Sequence, residues 1–386
     1  MVSKTQLSAP PGASAAHPDY SARDFPYSPL VVFYEVTRAC NLLCRHCRAE
    51  AQPYSHPLEL DSAASLSLID NLAEFSKPPL LVLTGGDPIK RHDVFDIVNH
   101  AVESGMKTAM TPSATKLVTT AAVVRLKQAG LHRLAVSLDG ADAATHDGFR
   151  RVPGSFQRTL EIIADAAACH LPLQINTTIA RHNFDQIDAM AEVLDAFPIV
   201  LWSVFFLVPT GRALADQRIT AEEFEVAFEK LYQQGCRRKY GIKTTEAPHY
   251  RRFLIEKMKR GADASTSRPT IPHIIGTNDG RGVMFISHIG EIYPSGFLPI
   301  ECGKFPKDSV VDVYQHSPLF VDLRDAGKLK GKCGFCQYRD ICGGSRARSY
   351  GLTGDPLAAE PDCVYVSPQS EERITSEARS LPLCSA

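Results

Sequence analysis

The chain has 386 residues, enough for two to three domains or one large unit with an appendage. Its 44% hydrophobic and 22% charged content suits a globular protein that builds a core without disulfides. A net charge of -1 excludes a basic nucleic-acid or anionic-membrane surface, and no apolar run reaches the roughly 18 residues of a membrane span.

Residues 1–26 are rich in Pro, Ala and Ser and lack the apolar stretch of an export signal, so they read as a disordered arm on a cytoplasmic protein. From residue 31 short apolar runs alternate with longer segments of three- and four-residue apolar spacing. Strands are expected at Val31–Val36, Leu80–Thr84, Lys107–Thr111, Arg133–Ser137, Leu173–Ile179 and Val200–Leu207. Helices are expected at Ala63–Phe75, Val94–Glu103, Ala121–Gln128, Phe156–Ala168 and Phe184–Ala196. Successive strands lie about 25 to 40 residues apart, the length of a right-handed crossover. Six such units over residues 27–235 predict an α/β fold, a partial (β/α)6 barrel of TIM-like kind. Site residues should then follow the strands, at their carboxyl ends.

Residues 236–275 read as a basic, partly helical connector with a solvated charged face, followed by a polar loop. From 276 to 370 the texture changes to Gly, Pro and Cys punctuation with short strand-like pieces such as Gly282–Ile286, a second and smaller domain. Residues 371–386 read as a tail.

The eleven cysteines are clustered, three within residues 40–47 and five within 302–363. An odd number without an export signal points to metal ligands rather than disulfides. Cys169, Cys236 and Cys384 stand apart and read as small apolar residues. Cys40, Cys44 and Cys47 form C-x3-C-x2-C directly after the first strand. Three thiolates hold three irons of a cubane and leave the fourth iron open, whereas zinc would need another protein ligand. Cys333, Cys336, Cys342 and Cys363 make a four-thiolate set that fits a second cluster or a structural zinc.

The three-cysteine loop resembles that of the radical S-adenosylmethionine (SAM) superfamily. The resemblance implies a [4Fe-4S] cluster on Cys40, Cys44 and Cys47 that reductively cleaves SAM to a 5′-deoxyadenosyl radical. His46 stands where relatives carry an aromatic residue. Gly85, Gly86, Asp87 and Pro88 are similar to the family's GGEP turn, where glycines let the backbone approach the cofactor. Ser137, Asp139 and Asn176, at later strand ends, are implied cofactor contacts. Arg150, in FRRVPGSF, matches a segment of relatives with a C-terminal cluster domain and suits the cofactor's carboxylate.

The C-terminal cysteines resemble SPASM and twitch domains, which implies one auxiliary [4Fe-4S] cluster on Cys333, Cys336, Cys342 and Cys363. Cys302 is left over as a candidate catalytic hydrogen donor, an alternative ligand or a bystander. CRHCRAEA, Val208-Pro209-Thr210-Gly211-Arg212-Ala213 and the PSGFLP segment most resemble the haem b and haem d1 branch, which removes propionate carboxyls from porphyrins. That implies a porphyrin-like small molecule as substrate and a low-potential electron donor such as flavodoxin or ferredoxin. Maturation of a ribosomal peptide is the alternative, although the short arm is expected to lack room for a leader-binding domain. A non-catalytic iron–sulfur or zinc scaffold is the remote third reading.

Overall fold

The computed structural model describes residues 20–260 and 276–367. Most of the expected N-terminal arm, the polar loop and the tail with Cys384 lie outside the described residues.

Seven strands follow one another in a parallel sheet. They are β1 (Val31–Thr37), β2 (Leu80–Gly85), β3 (Thr108–Met110), β4 (Arg133–Ser137), β5 (Leu173–Ile179), β6 (Leu201–Phe206) and β7 (Gly241–Thr245). The chain then returns to the other side of β1. There β8 (Val283–Ile286) pairs with it in parallel, and β9 (Glu291–Tyr293) and β10 (Gly303–Lys304) extend the sheet antiparallel. The order is β10-β9-β8-β1-β2-β3-β4-β5-β6-β7, with β10 and β7 as edges, so the sheet is open.

Helices α1 (Ser62–Ala73), α2 (Val94–Glu103), α3 (Thr120–Gln128), α4 (Ala143–Arg150), α5 (Ser155–Ala168), α6 (Ile187–Asp195), α7 (Ala221–Arg237) and α8 (His249–Arg260) connect and follow the strands. Their starts are written locally. The Asp61 carboxylate accepts from the Ala64 amide at 2.8 Å to open α1. Thr220 and Glu223 cap each other's backbone at α7, satisfying donors that the first turn leaves free. Each helix turns one apolar stripe to the sheet, as Leu68, Ile69 and Leu72 do on α1, all fully buried. Truncating one such leucine to alanine costs about 2–5 kcal/mol. Within the core, Trp202 donates to the Thr177 hydroxyl at 2.9 Å, and Thr177 donates to the Leu138 carbonyl at 2.6 Å. That chain ties the start of β6 through β5 to the carboxyl end of β4, and Ser137 and Asn176 stand opposite each other in register.

Three expectations change. The segment read as a connector holds β7, a seventh parallel strand, and α8, whose Arg252 is 4% exposed rather than on a solvated face. The arm read as disordered to residue 26 is packed from Tyr20 onward. Phe25 is buried, and the Tyr314 hydroxyl donates to its carbonyl at 2.8 Å. The second domain is not separate from the first sheet, because β8 lies hydrogen-bonded against β1.

Candidate active site and second cysteine site

The first cysteine loop leaves β1 at Thr37 and lies at the carboxyl end of the sheet. Cys40 and Cys44 are buried and Cys47 half-buried, packed with Leu42, Ala51 and Val152. Each sulfur already meets a hydrogen-bond partner. The Leu42 amide donates to Cys40 Sγ at 3.3 Å, the Ala51 amide to Cys47 Sγ at 3.4 Å, and Arg150 Nη1 to Cys44 Sγ at 3.7 Å. Burial pushes the Cys40 and Cys44 thiols up, so binding a metal there must displace their protons. Among the described residues no three His, Cys, Asp or Glu side chains stand close enough to hold a single metal ion. Thiolates that each bind a different iron of a cubane stand farther apart, and donors aimed at all three sulfurs suit that charge.

The glycine turn after β2 packs against the start of the cysteine loop. A Cβ on Gly85 would lie 2.1 Å from the Thr37 carbonyl oxygen, and Gly85 has φ +142°. The amides of Gly86 and Asp87 donate to Thr37 and Ala39 at 2.8 and 2.7 Å. The turn therefore clasps the root of the cysteine loop. Asp87 is fully buried, and its carboxylate accepts from the Thr115 hydroxyl at 2.7 Å and the amides of Ile89 and Ser113, bracing the segment after β3. Pro88 starts the short helix that follows. On the far side, Gly211 (φ +58°) comes so close that a Cβ would meet the carbonyl oxygens of Cys47 and Arg48 at 2.5 Å.

Ser137, the last residue of β4, and Asn176, in the middle of β5, lie side by side and half-buried; Asn176 accepts from Gln174 at 2.7 Å. Asp139 is fully buried and accepts from Arg150 Nε and the Thr178 amide, each at 2.7 Å. Burial opposes its ionisation, but Arg150, with His46 and His146 behind it, outweighs burial and holds the carboxyl at about 2. Arg150 thus bridges Asp139 and Cys44. Cys302 is not with these groups. It packs against the main core, gives its thiol to the Ile300 carbonyl at 3.5 Å, and burial pushes it up to about 11.

Several groups escaped sequence reasoning. Phe149 and His182 stack with His46, with ring centroids 4.1 and 3.8 Å apart. Glu35 on β1 is 2% exposed. It takes Arg48 at 2.8 Å on one oxygen and His288 Nδ1 at 2.9 Å on the other. Burial works against that carboxylate, yet Arg48 and His288 hold it below its ordinary range. The signal for it was present, since Glu35 is the one charged residue in the apolar run VVFYEVT. Arg38 Nε, His46 Nδ1, His182 Nε2 and His288 Nε2 are buried without hydrogen-bond partners. Such a concentration of open donors and acceptors around one loop suits a polar guest.

The second site gathers the expected four cysteines. Cys333, Cys336, Cys342 and Cys363 line one cavity, together with His249, Arg252, Lys332 and Glu360. The amides of Glu360, Tyr338 and Gly344 donate to Cys333, Cys336 and Cys342 at 3.2, 3.4 and 3.4 Å. Burial pushes Cys342 to about 12 and Cys363 to about 11. Fully buried Arg348 holds the wall, pairing with Glu360 at 3.2 Å and Asp362 at 3.1 Å.

Residues 34–194 match the model of the radical SAM superfamily. The chain is 37% identical over 347 residues to the AdoMet-dependent heme synthase of Nitratidesulfovibrio vulgaris, covering 87% of this chain and 92% of that one. It is 36% identical to the AdoMet-dependent heme synthase of Methanosarcina barkeri, covering 88% and 97%. The chain belongs to the radical SAM superfamily. Its fold superposes on a solved structure of anSMEcpe with bound AdoMet at a TM-score of 0.66 and 14% identity, over 91% of this chain and 97% of that one. It is therefore a radical SAM enzyme, an iron–sulfur and SAM-binding protein whose shared fold extends through the cysteine-rich C-terminal region. Among the described residues, no helix is long and apolar enough to cross a membrane.

Proposed function

We propose that this radical SAM enzyme removes the carboxyl groups of propionate side chains on an iron porphyrin. The observation that carries the reading is the 37% identity across 92% of a heme synthase. Cys40, Cys44 and Cys47 hold the [4Fe-4S] cluster of the active site, and Cys333, Cys336, Cys342 and Cys363 hold one auxiliary [4Fe-4S] cluster. When bound, SAM supplies a 5′-deoxyadenosyl radical, and a low-potential donor of the flavodoxin or ferredoxin class supplies the electron for it.

The chain's own groups then have distinct tasks. The Gly85–Pro88 turn fixes the cysteine loop, and Ser137 and Asn176 edge the cofactor's place. Arg150 and Asp139 form a charged wall beside Cys44. A propionate is an anion, and Arg48 and His288, both held by Glu35, are the donors suited to it. Removing a hydrogen atom and then CO2 from a propionate leaves a vinyl group and one surplus electron. The buried four-cysteine site supports an acceptor for that electron.

The test is an anaerobic incubation of reconstituted enzyme with dithionite, SAM and iron coproporphyrin III. The expected products are 5′-deoxyadenosine and porphyrin in which propionates have become vinyl groups. Deoxyadenosine with the porphyrin unchanged would overturn the substrate and leave superfamily membership intact.

A further inference from the structure

His249 is the first residue of α8, three residues after the end of β7 is passed at Glu246. Its ring is fully buried, tilted against Phe224 and Phe228 with centroids 5.0 and 4.9 Å away. The same ring lines the cavity of the four C-terminal cysteines. Neither Nδ1 nor Nε2 meets a hydrogen-bond partner. An imidazole always carries at least one N–H, and a buried donor left open opposes folding. Packing alone does not account for the residue, because a phenylalanine among Phe224, Phe228 and Tyr250 would fill the place without that penalty.

The nearby side-chain acceptors are already engaged, and the Asp362 carbonyl faces the ring without hydrogen-bond geometry. The Glu360 carboxylate takes the Ser345 amide at 2.6 Å, the Asp362 amide at 3.1 Å and Arg348 at 3.2 Å. Three of the four cysteine sulfurs take backbone amides. The remaining acceptors that a loaded cavity would present are the sulfides and thiolates of a cluster. Arg252 and Lys332 line the same cavity, so its charge also favours an anionic guest.

We propose that His249 donates its ring N–H to the auxiliary cluster and thereby raises that cluster's reduction potential. Hydrogen bonds to cluster sulfurs and nearby positive charge stabilise the reduced, more negative form. The residue is thus placed to make the auxiliary site a better electron acceptor. This inference rests on the auxiliary cluster being iron–sulfur.

The test uses the full chain with Cys40, Cys44 and Cys47 changed to alanine, so that only the auxiliary cluster loads. In that background, His249→Phe removes the donor and keeps the ring, while His249→Gln restores a donor. The parent should hold about four irons and four sulfides. The Phe variant should bind its reducing electron about tenfold more weakly, which is 59 mV for a one-electron couple, and the Gln variant should recover part of that. An unchanged potential in the Phe variant would overturn the proposal. Because the Phe variant can fail to load, the reduced parent labelled with ¹⁵N-histidine is measured as well. A hyperfine coupling to histidine nitrogen is expected, and its absence overturns the proposal. Zinc, or no iron, in the parent would instead overturn the cluster reading on which it rests.

Discussion

His146 on α4 gives the most exacting test of the electrostatics around the active site. Its ring is 1% exposed, and Nδ1 accepts the Asp139 amide hydrogen at 3.0 Å, which requires that nitrogen to be unprotonated. Burial holds its pKa down at about 4, from an ordinary 6.5, and Arg150 pushes the same way against Asp139 and Asp147. The unfolded chain takes up this proton near pH 6.5 and the folded chain only near 4. Between those values the unfolded state binds more protons, so stability falls as pH drops through that window and levels off below it. At pH 5.5 the loss from this one residue is roughly 1 kcal/mol relative to pH 8. His146→Asn keeps an acceptor for the Asp139 amide and removes the titration. Urea unfolding at both pH values should show the parent losing roughly 1 kcal/mol more than the variant, with equal m-values. Any fixed cost of lost packing against Phe156 cancels in that difference. Equal losses in parent and variant would refute the reasoning.

Other perturbations separate the two cysteine sites. Arg348→Met leaves the buried Glu360 carboxylate without its cation and Asp362 with Arg218 alone, which should cost about 3–5 kcal/mol in chemical unfolding. Since Glu360 bonds Cys333 and Asp362 precedes Cys363, the variant should also lose its auxiliary iron; full iron at parental stability would contradict this. Gly211→Ala forces a side chain into a left-handed position against the Cys47 carbonyl. It should abolish deoxyadenosine formation while keeping the auxiliary iron, as read by metal analysis. Cys302→Ala should keep full iron and parental deoxyadenosine yield, because that thiol packs against the main core and bonds the Ile300 carbonyl; loss of either would make Cys302 a functional group.

The parallel core was legible because most of its strands are nearly continuous apolar runs, while LQINTTI alternates apolar and polar residues. Arg133–Ser137 and Leu173–Ile179 are found where their sequence places them. The seventh strand escaped because GIKTT carries one buried residue and reads as polar. The packing of Phe25 and the pairing of β8 with β1 escaped because both join distant parts of the chain, which no local periodicity records. At the sites, cysteine spacing carried the first loop and the four-cysteine cavity. The pairing of Asp139 with Arg150 was not readable, although each residue had been singled out, because a strand end and a helix end meet only in the fold. Glu35 and His288 lie 253 residues apart, and His249 looked like part of a charged connector. Their burial, not their spacing, marks them.

The central claim is that the three-cysteine loop carries a SAM-cleaving cluster. It is tested most directly on anaerobically reconstituted protein reduced with dithionite in the presence of SAM, by assaying 5′-deoxyadenosine and counting iron. About eight irons per chain and deoxyadenosine are expected, falling to about four irons and none when Cys40, Cys44 and Cys47 are alanine. Deoxyadenosine that persists in that triple variant, or zinc in place of iron in the parent, would contradict it.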